Sequence, residues 1–253
     1  MAIRTETSNG VTTIEIARPE KKNALTVAMY EAMEQALQTA LADRAVRAVL
    51  IVGQPNVFTA GNDLQDFMQR PPTGDDSPVM GFMHALLNFD KPVVAAVTGA
   101  SVGIGVTMLL HCDLVYVSDD AQLSMPFVSL GLVPEFASSV LLPQILGHVK
   151  AAEVLLLGNG FTGSDAVKLG IANAALPATE VVAHARRTAE RFNALPPDAV
   201  REAKRLLRAG SKDEIAQAIR AEAAVFVERL RSPEAKEAFE AFFQKRKPDF
   251  AKL

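Results

Sequence analysis

The chain has 253 residues, 49% apolar and 22% charged, with a net charge of −3 and a single cysteine, Cys112. That length and apolar content supply a core for one large domain, or a core with a small appendage. The charge argues against nucleic acid or an acidic membrane surface as a partner, and one cysteine excludes an internal disulfide framework and fits a reducing compartment.

In chain order, the start Met-Ala-Ile-Arg-Thr-Glu-Thr lacks the charged-then-apolar pattern of a secretion signal. Asn9-Gly10 between two alternating runs predicts a β-hairpin. Thr26 is placed to cap a helix whose apolar positions Met29, Tyr30, Met33, Leu37 and Leu41 recur at helical spacing. A buried strand is predicted over Ala48 to Val52, ending at Gly53, followed by a loop into Ala60-Gly61-Asn62-Asp63 and a short helical segment. Residues 70–78, with three prolines, two aspartates and a glycine, predict a mobile excursion. A helix from Met80 towards Asn88 offers Met80, Phe82, Met83, Leu86 and Leu87 to a core or an apolar ligand.

From Pro92 to Cys112 no residue is charged, about the length of a membrane span, and Gly99 and Gly103 have helix-dimer spacing. The β-branched Val93, Val94 and Val97 and the glycines at 99, 103 and 105 instead predict a buried strand, a tight turn and a buried helix, with no membrane insertion. Another strand is expected over Asp113 to Val117. Met125 to Glu135 then leads into a helix with Pro134 near its first turn. From Thr179 onward the pattern is nearly continuous helix. The aromatic face of Phe226, Leu230, Phe239, Phe242 and Phe243 predicts packing on the core or on another subunit.

The run Thr98-Gly99 to Gly103-Ile-Gly105 matches the T-G-x-x-x-G-x-G turn of short-chain dehydrogenases, but it sits far from the N-terminus. Those enzymes also need a Tyr-x-x-x-Lys pair, and Tyr30 and Tyr116 are followed at that spacing by Glu34 and Asp120. The same residues spell Gly99-x-Ser101-x-Gly103, a nucleophile elbow. His148 has no evident partner carboxylate, and His184 beside Arg186 and Arg187 reads as a solvated histidine, so Ser101 reads as a small turn residue. His111 and Cys112 read as packing residues, and no cluster has metal-ligand spacing.

A third reading joins distant parts of the chain. Arg18-Pro-Glu-Lys-Lys-Asn23-Ala-Leu25, Phe58-Thr-Ala-Gly61-Asn62-Asp63, Ala96 through Gly105 to Cys112-Asp113, and Met125-Pro126-Phe127 with Leu130-Gly131-Leu132 and Pro134-Glu135 resemble the crotonase (enoyl-CoA hydratase/isomerase) superfamily in order and spacing. The resemblance extends to the terminal Phe-Phe-Gln-Lys-Arg-Lys-Pro. It implies an α/β superhelix of repeated ββα units over 1–195 and a helical C-terminal region over 196–253 that builds homotrimers or hexamers. It also implies an acyl-CoA thioester substrate, with coenzyme A part of that substrate and no separate cofactor or metal.

By the same resemblance, the backbone N–H groups of Asn62 and Ile104 hold the oxyanion of an enolate; removing one such donor costs about 3 kcal/mol. Both lie at expected helix starts, where N–H groups lack intrahelical partners, and Gly61, Gly103 and Gly105 allow close approach of a ligand. Substrate contacts fall to Lys22, Ala24, Leu25, Ala60, Gly61, Asp63, Leu64, Gly103, Thr107 and Phe127. For Asp63 helix capping is the better reading, and for Lys22 a solvated loop lysine remains an alternative to a nucleotide contact. Lys245, Arg246 and Lys247 are candidates for the ribose 3′-phosphate, across a subunit contact, with a merely solvated charge run as the alternative.

The hydratases of this superfamily use two glutamates, and their positions here hold Thr107 and Phe127. Neither can move a proton in that role. Glu135 matches the base of the Δ3,Δ2-enoyl-CoA isomerase subset, and Asn62 in Ala-Gly-Asn-Asp-Leu is similar to that subset too. Double-bond migration by a single shuttle base is therefore the expected reaction. The alternatives are hydration or another enolate reaction on the same scaffold, and a non-catalytic acyl-CoA binding protein. Locally, a Glu after a Pro at a helix start also has a purely electrostatic explanation. The terminal Ala-Lys-Leu is close to a peroxisomal address, but the alanine-rich composition points to a cytoplasmic protein.

Overall fold

A computed structural model describes residues 2–71, 74 and 76–253. Two sheets take the strands in turn. The larger runs β1 (Ile3–Ser8), β2 (Val11–Ile16), β3 (Ala48–Val52), β5 (Val93–Val97), β7 (Leu114–Ser118) and β10 (Ala174–Leu176). The smaller runs β4 (Val57–Thr59), β6 (Ala100–Val102), β8 (Gln122–Ser124) and β9 (Phe161–Thr162). Among the described strand pairs, β1–β2 and β8–β9 are antiparallel and the others parallel. The hairpin turns where expected: Asn9 and Gly10 both have positive φ, the geometry a two-residue loop needs to match strand twist.

The repeat is visible in the connectivity. β3, β5 and β7 each enter the large sheet, and the next strand in each case, β4, β6 or β8, enters the small one before the chain leaves for helix. Three ββα turns thus stack as a superhelix. β4, β6 and β8 run parallel, so all three end at the same edge and their following loops open there. The sequence missed β6, because three residues inside a glycine-rich run carry no strand period.

The helices are α1 (Val27–Ala42), α2 (Leu64–Gln69), α3 (Pro78–Leu87), α4 (Ile104–Thr107), α5 (Ser138–Leu146), α6 (His148–Leu157), α7 (Gly163–Lys168), α8 (Ala178–Glu190), α9 (Pro197–Ala209), α10 (Lys212–Leu230) and α11 (Pro233–Phe243). Strand alternation divides the apolar residues between two clusters. Val49 and Ile51 of β3 face the main core with α1 and α3, whereas Ala48, Leu50 and Val52 face Val181, Ala185 and Ala189 of α8. Ile215, Ile219, Phe226 and Phe239 from α10 and α11 also enter the main core. Each such buried side chain contributes about 1.5–3 kcal/mol of transfer free energy. Phe242 and Phe243 stay 59% and 48% exposed. Among the described residues no helix is long and apolar enough to cross a membrane.

Two local expectations are corrected. Thr26 occupies the N-cap of α1 but its side chain makes no cap hydrogen bond; the Val27 N–H donates instead to Asp66 Oδ2 of α2 at 2.7 Å. The helix expected to start around Pro134 starts at Ser138, because Phe136 and Ala137 both have φ of 57° and cannot belong to a right-handed helix. The expected excursion over 70–78 includes Pro72, Thr73 and Asp75, which lie outside the described residues.

Candidate active site

Three loops converge at the edge of the small sheet, one from each repeat. The loop after β4 carries Asn62, the turn after β6 carries Ile104, and the segment after β8 carries Glu135. Gly61 has φ of 88° and Gly103 has φ of 57°, so both turns place a residue that tolerates the left-handed region directly ahead of an N–H. A Cβ on Gly61 would stand 3.0 Å from the Val102 carbonyl oxygen, so the first turn also packs tightly on β6. Among the described residues, neither the Asn62 N–H nor the Ile104 N–H donates to a protein acceptor.

Asn62 is pinned from both sides. The Leu25 N–H donates to the Gly61 carbonyl and the Asp63 N–H donates to the Leu25 carbonyl, each at 2.8 Å. The Tyr30 hydroxyl donates to Asn62 Oδ1 at 2.5 Å. Asn23 staples the 18–25 loop to β4, its amide donating to the Val57 and Phe58 carbonyls at 3.1 Å. Asp63 caps α2, accepting from the Gln65 and Asp66 N–H groups. Partial burial works against its charge, but the Arg18 guanidinium at 2.7 Å holds its carboxyl below the usual range.

Two cavities meet here. One, of about 670 Å³, is lined by Lys22, Ala24, the loop from Ala60 to Leu64, Gly103, Ile104 and Phe127. Phe242 and Phe243 of α11 complete its wall. The other, of about 380 Å³, is mostly apolar and holds Glu135 with Val79, Met80, Met83 and Ile219. Asn62, Phe67 and Phe226 line both.

Glu135 is 7% exposed. Burial pushes its carboxyl up to about 8; a hydrogen bond from Thr107 Oγ1 to Oε1 at 2.5 Å draws it down, and the nearby Glu222 carboxylate raises it. The turn that aims it is strained. Phe136 and Ala137 are consecutive non-glycine residues in the left-handed region, at a cost of about 1 kcal/mol or more each. Four contacts offset that strain. Ser138 Oγ donates to the Glu135 carbonyl at 2.7 Å, and His111 Nε2–H donates to the Phe136 carbonyl at 2.8 Å. The Ala137 and Ser139 N–H groups donate to Glu222. The His111 ring stacks on Phe136, and burial lowers its pKa to about 4, which keeps it neutral.

Of the predicted contact residues, Leu25 and Thr107 line neither cavity. Leu25 is 1% exposed and acts through its backbone, which frames Asn62; Thr107 is fully buried and acts through its hydroxyl. Phe127, 6% exposed, closes the larger cavity beside Gly103. Arg246 of the basic tail is paired with both carboxylate oxygens of Glu237. Ser101 lies within β6, its hydroxyl buried, and so cannot serve as an exposed elbow nucleophile. His184 is half-buried and rests edge-on against Tyr116, so it is not a solvated histidine. Among the described residues no group of three or more His, Cys, Asp or Glu could hold a metal ion.

The sequence missed Tyr30, His111 and Glu222 as site residues. Tyr30 looked like one more apolar position of α1. Glu222 lies on a helix far along the chain, and no local pattern points from it to residue 137.

The architecture is a ββα superhelix in which, among the described residues, the Asn62 and Ile104 N–H groups are without a protein acceptor and line a cavity adjoining the one that holds the buried Glu135. A family model described as enoyl-CoA hydratase/isomerase matches residues 6–252. The structure of Pseudomonas aeruginosa OdaA superposes with a TM-score of 0.94 at 55% identity, covering 95% of this chain and 98% of that one. Human enoyl-CoA delta isomerase 2 is 34% identical over 214 residues, 82% of this chain and 54% of that protein. A probable enoyl-CoA hydratase of Bacillus subtilis (strain 168) is 31% identical over 233 residues, 90% of each chain. The chain thus spans about half the length of the human isomerase it matches. It belongs to the enoyl-CoA hydratase/isomerase family, within the crotonase superfamily.

Proposed function

We propose that the protein moves a double bond in an acyl-CoA thioester, converting a Δ3-enoyl to a Δ2-enoyl group through a dienolate, with Glu135 as the only proton carrier. The observation that carries this reading is the buried Glu135 carboxyl, raised to about 8 and set in an apolar cavity that shares Asn62 with the larger cavity. A base poised near the working pH can both take and return a proton.

In this reading CoA lies in the larger cavity along Lys22, Ala24 and the Ala60–Leu64 loop, and the acyl chain enters the smaller one. The Glu135 carboxylate removes a proton from C2. The electron pair delocalises onto the thioester oxygen, where the Asn62 and Ile104 N–H groups stabilise the charge. The protonated Glu135 then delivers that proton to C4, and the double bond stands between C2 and C3. Phe127 and Thr107, at the positions of the two hydratase glutamates, offer no second carboxyl to activate water. The relatives carry both isomerase and hydratase names, so their names favour neither reaction.

The same proposal takes residues 1–195 as the spiral core and 196–253 as the helical region. It also takes the assembly to be a homotrimer or hexamer, supported by the exposed Val149, Leu156 and Leu157 on α6. The test is to supply 3-enoyl-CoA and 2-enoyl-CoA separately and to measure conjugation and 3-hydroxyacyl-CoA. The proposal expects conjugation to exceed hydration by at least a hundredfold. Hydration as fast as conjugation would refute it, and tight binding of both esters without turnover would replace it by a binding protein.

A further inference from the structure

We propose that Glu222, on α10, is a positioning residue for Glu135: its carboxylate clamps the Phe136–Ala137 turn and couples the C-terminal helices to proton transfer. This rests on the reading of Glu135 as the base.

The geometry sets the clamp apart from an ordinary helix cap. The N-cap of α5 is Ala137, which has no side chain able to cap. Glu222 supplies the missing acceptor: Oε2 takes the Ala137 N–H at 2.6 Å, and Oε1 takes the Ser139 N–H at 2.9 Å and the Ser139 hydroxyl. Three donors on two oxygens suit an ionised carboxylate. Glu222 is only 8% exposed, so its charge is carried into the interior, where a neutral cap would avoid that desolvation cost. On the other side of the turn, His111 fixes the Phe136 carbonyl. The single peptide group that joins the two left-handed residues is therefore gripped at both its carbonyl and its N–H, one grip coming from a distant helix.

Charge is the second consequence. The groups around Glu135 are Tyr30 from α1, His111 from the turn after α4, and Arg220, which lines the same cavity from α10. Burial first, and Glu135 second, hold Tyr30 protonated, and His111 is neutral above about pH 4. Burial pushes the Glu222 carboxyl up, while the hydrogen bonds from Ser139 and Ala137 draw it down; in its ionised form its field opposes ionisation of Glu135, and Arg220 is the cation on the same cavity wall.

The experiment compares wild type, Glu222→Gln and Glu222→Ala. It measures kcat and KM for 3-enoyl-CoA against pH, and titrates Glu135 by carboxyl ¹³C NMR, assigned with Glu135→Gln. Removing the charge lowers the Glu135 pKa, so in Glu222→Gln the acid limb of kcat and the NMR titration both move down by about half a pH unit or more. Glu222→Ala, which also releases the turn, lowers kcat about tenfold or more with KM within about threefold. A fall in kcat with the acid limb and the titration unmoved would make Glu222 a plain helix cap and overturn the proposal. If Glu222→Ala fails to fold, the Gln variant decides alone. If wild type converts no 3-enoyl-CoA, the isomerase reading fails, and the NMR titration still decides the role of Glu222.

Discussion

The Thr107 hydroxyl donates to Glu135 Oε1 at 2.5 Å, from a position where hydratases of the superfamily hold a glutamate. Here that position carries a donor to a different carboxylate. This hydrogen bond opposes the effect of burial on Glu135. In Thr107→Val the donor is lost and the Glu135 pKa rises. The acid limb of the kcat–pH profile then moves up by about one unit, since a hydrogen bond to a charged group is worth about 1.5–3 kcal/mol and one pKa unit about 1.4. A pH–rate profile on 3-enoyl-CoA checks this, and an unmoved limb would show that Thr107 does not tune the base.

Tyr30 and Asn62 form the second coupled pair, with the Tyr30 hydroxyl donating to Asn62 Oδ1. In Tyr30→Phe the Asn62 carbonyl loses its donor and the loop that presents the N–H loosens. The expected result is a loss of about 1–2 kcal/mol in denaturant unfolding and a fall in kcat. Wild-type kcat in the variant would mean that the Asn62 loop is set by its backbone ties to Leu25 alone.

Glu135 also links stability to pH. Its carboxyl is about 8 in the folded protein against 4.5 for a free glutamate. The folded state therefore holds a proton that the unfolded chain releases. This contribution is fully present below about pH 4.5 and is lost as pH rises through about 8. Glu135→Gln, which cannot ionise, should gain on wild type by on the order of a few kcal/mol at pH 9, and by little at pH 4.5. Chemical denaturation at the two pH values measures the difference. An equal difference at both would place the Glu135 pKa near that of a free carboxylate.

Much of this fold was legible in the sequence where the signal is local. Asn9-Gly10 between alternating runs marked the hairpin, an apolar run ending at Gly53 marked β3, β-branching marked β5, and the spacing of Met29, Met33 and Leu37 marked α1. The turns that present Asn62 and Ile104 were legible because glycine is required where φ is positive. The start of α5 was not. Phe136 and Ala137 adopt a conformation that no propensity favours, and they hold it through His111 and Glu222, which come from other elements. Glu135 could be found by its register, but its environment could not, since burial, the Thr107 donor and the Glu222 charge are all products of tertiary packing.

The most direct test of the central claim is the rate of 3-enoyl-CoA conjugation by wild type and Glu135→Gln, with the Kd for the CoA ester measured on both. The predicted result is a loss of about 10²–10⁴-fold in kcat, the worth of general acid–base catalysis, with Kd within about threefold. Turnover of 3-enoyl-CoA that survives the substitution would contradict the assignment of Glu135 as the single base.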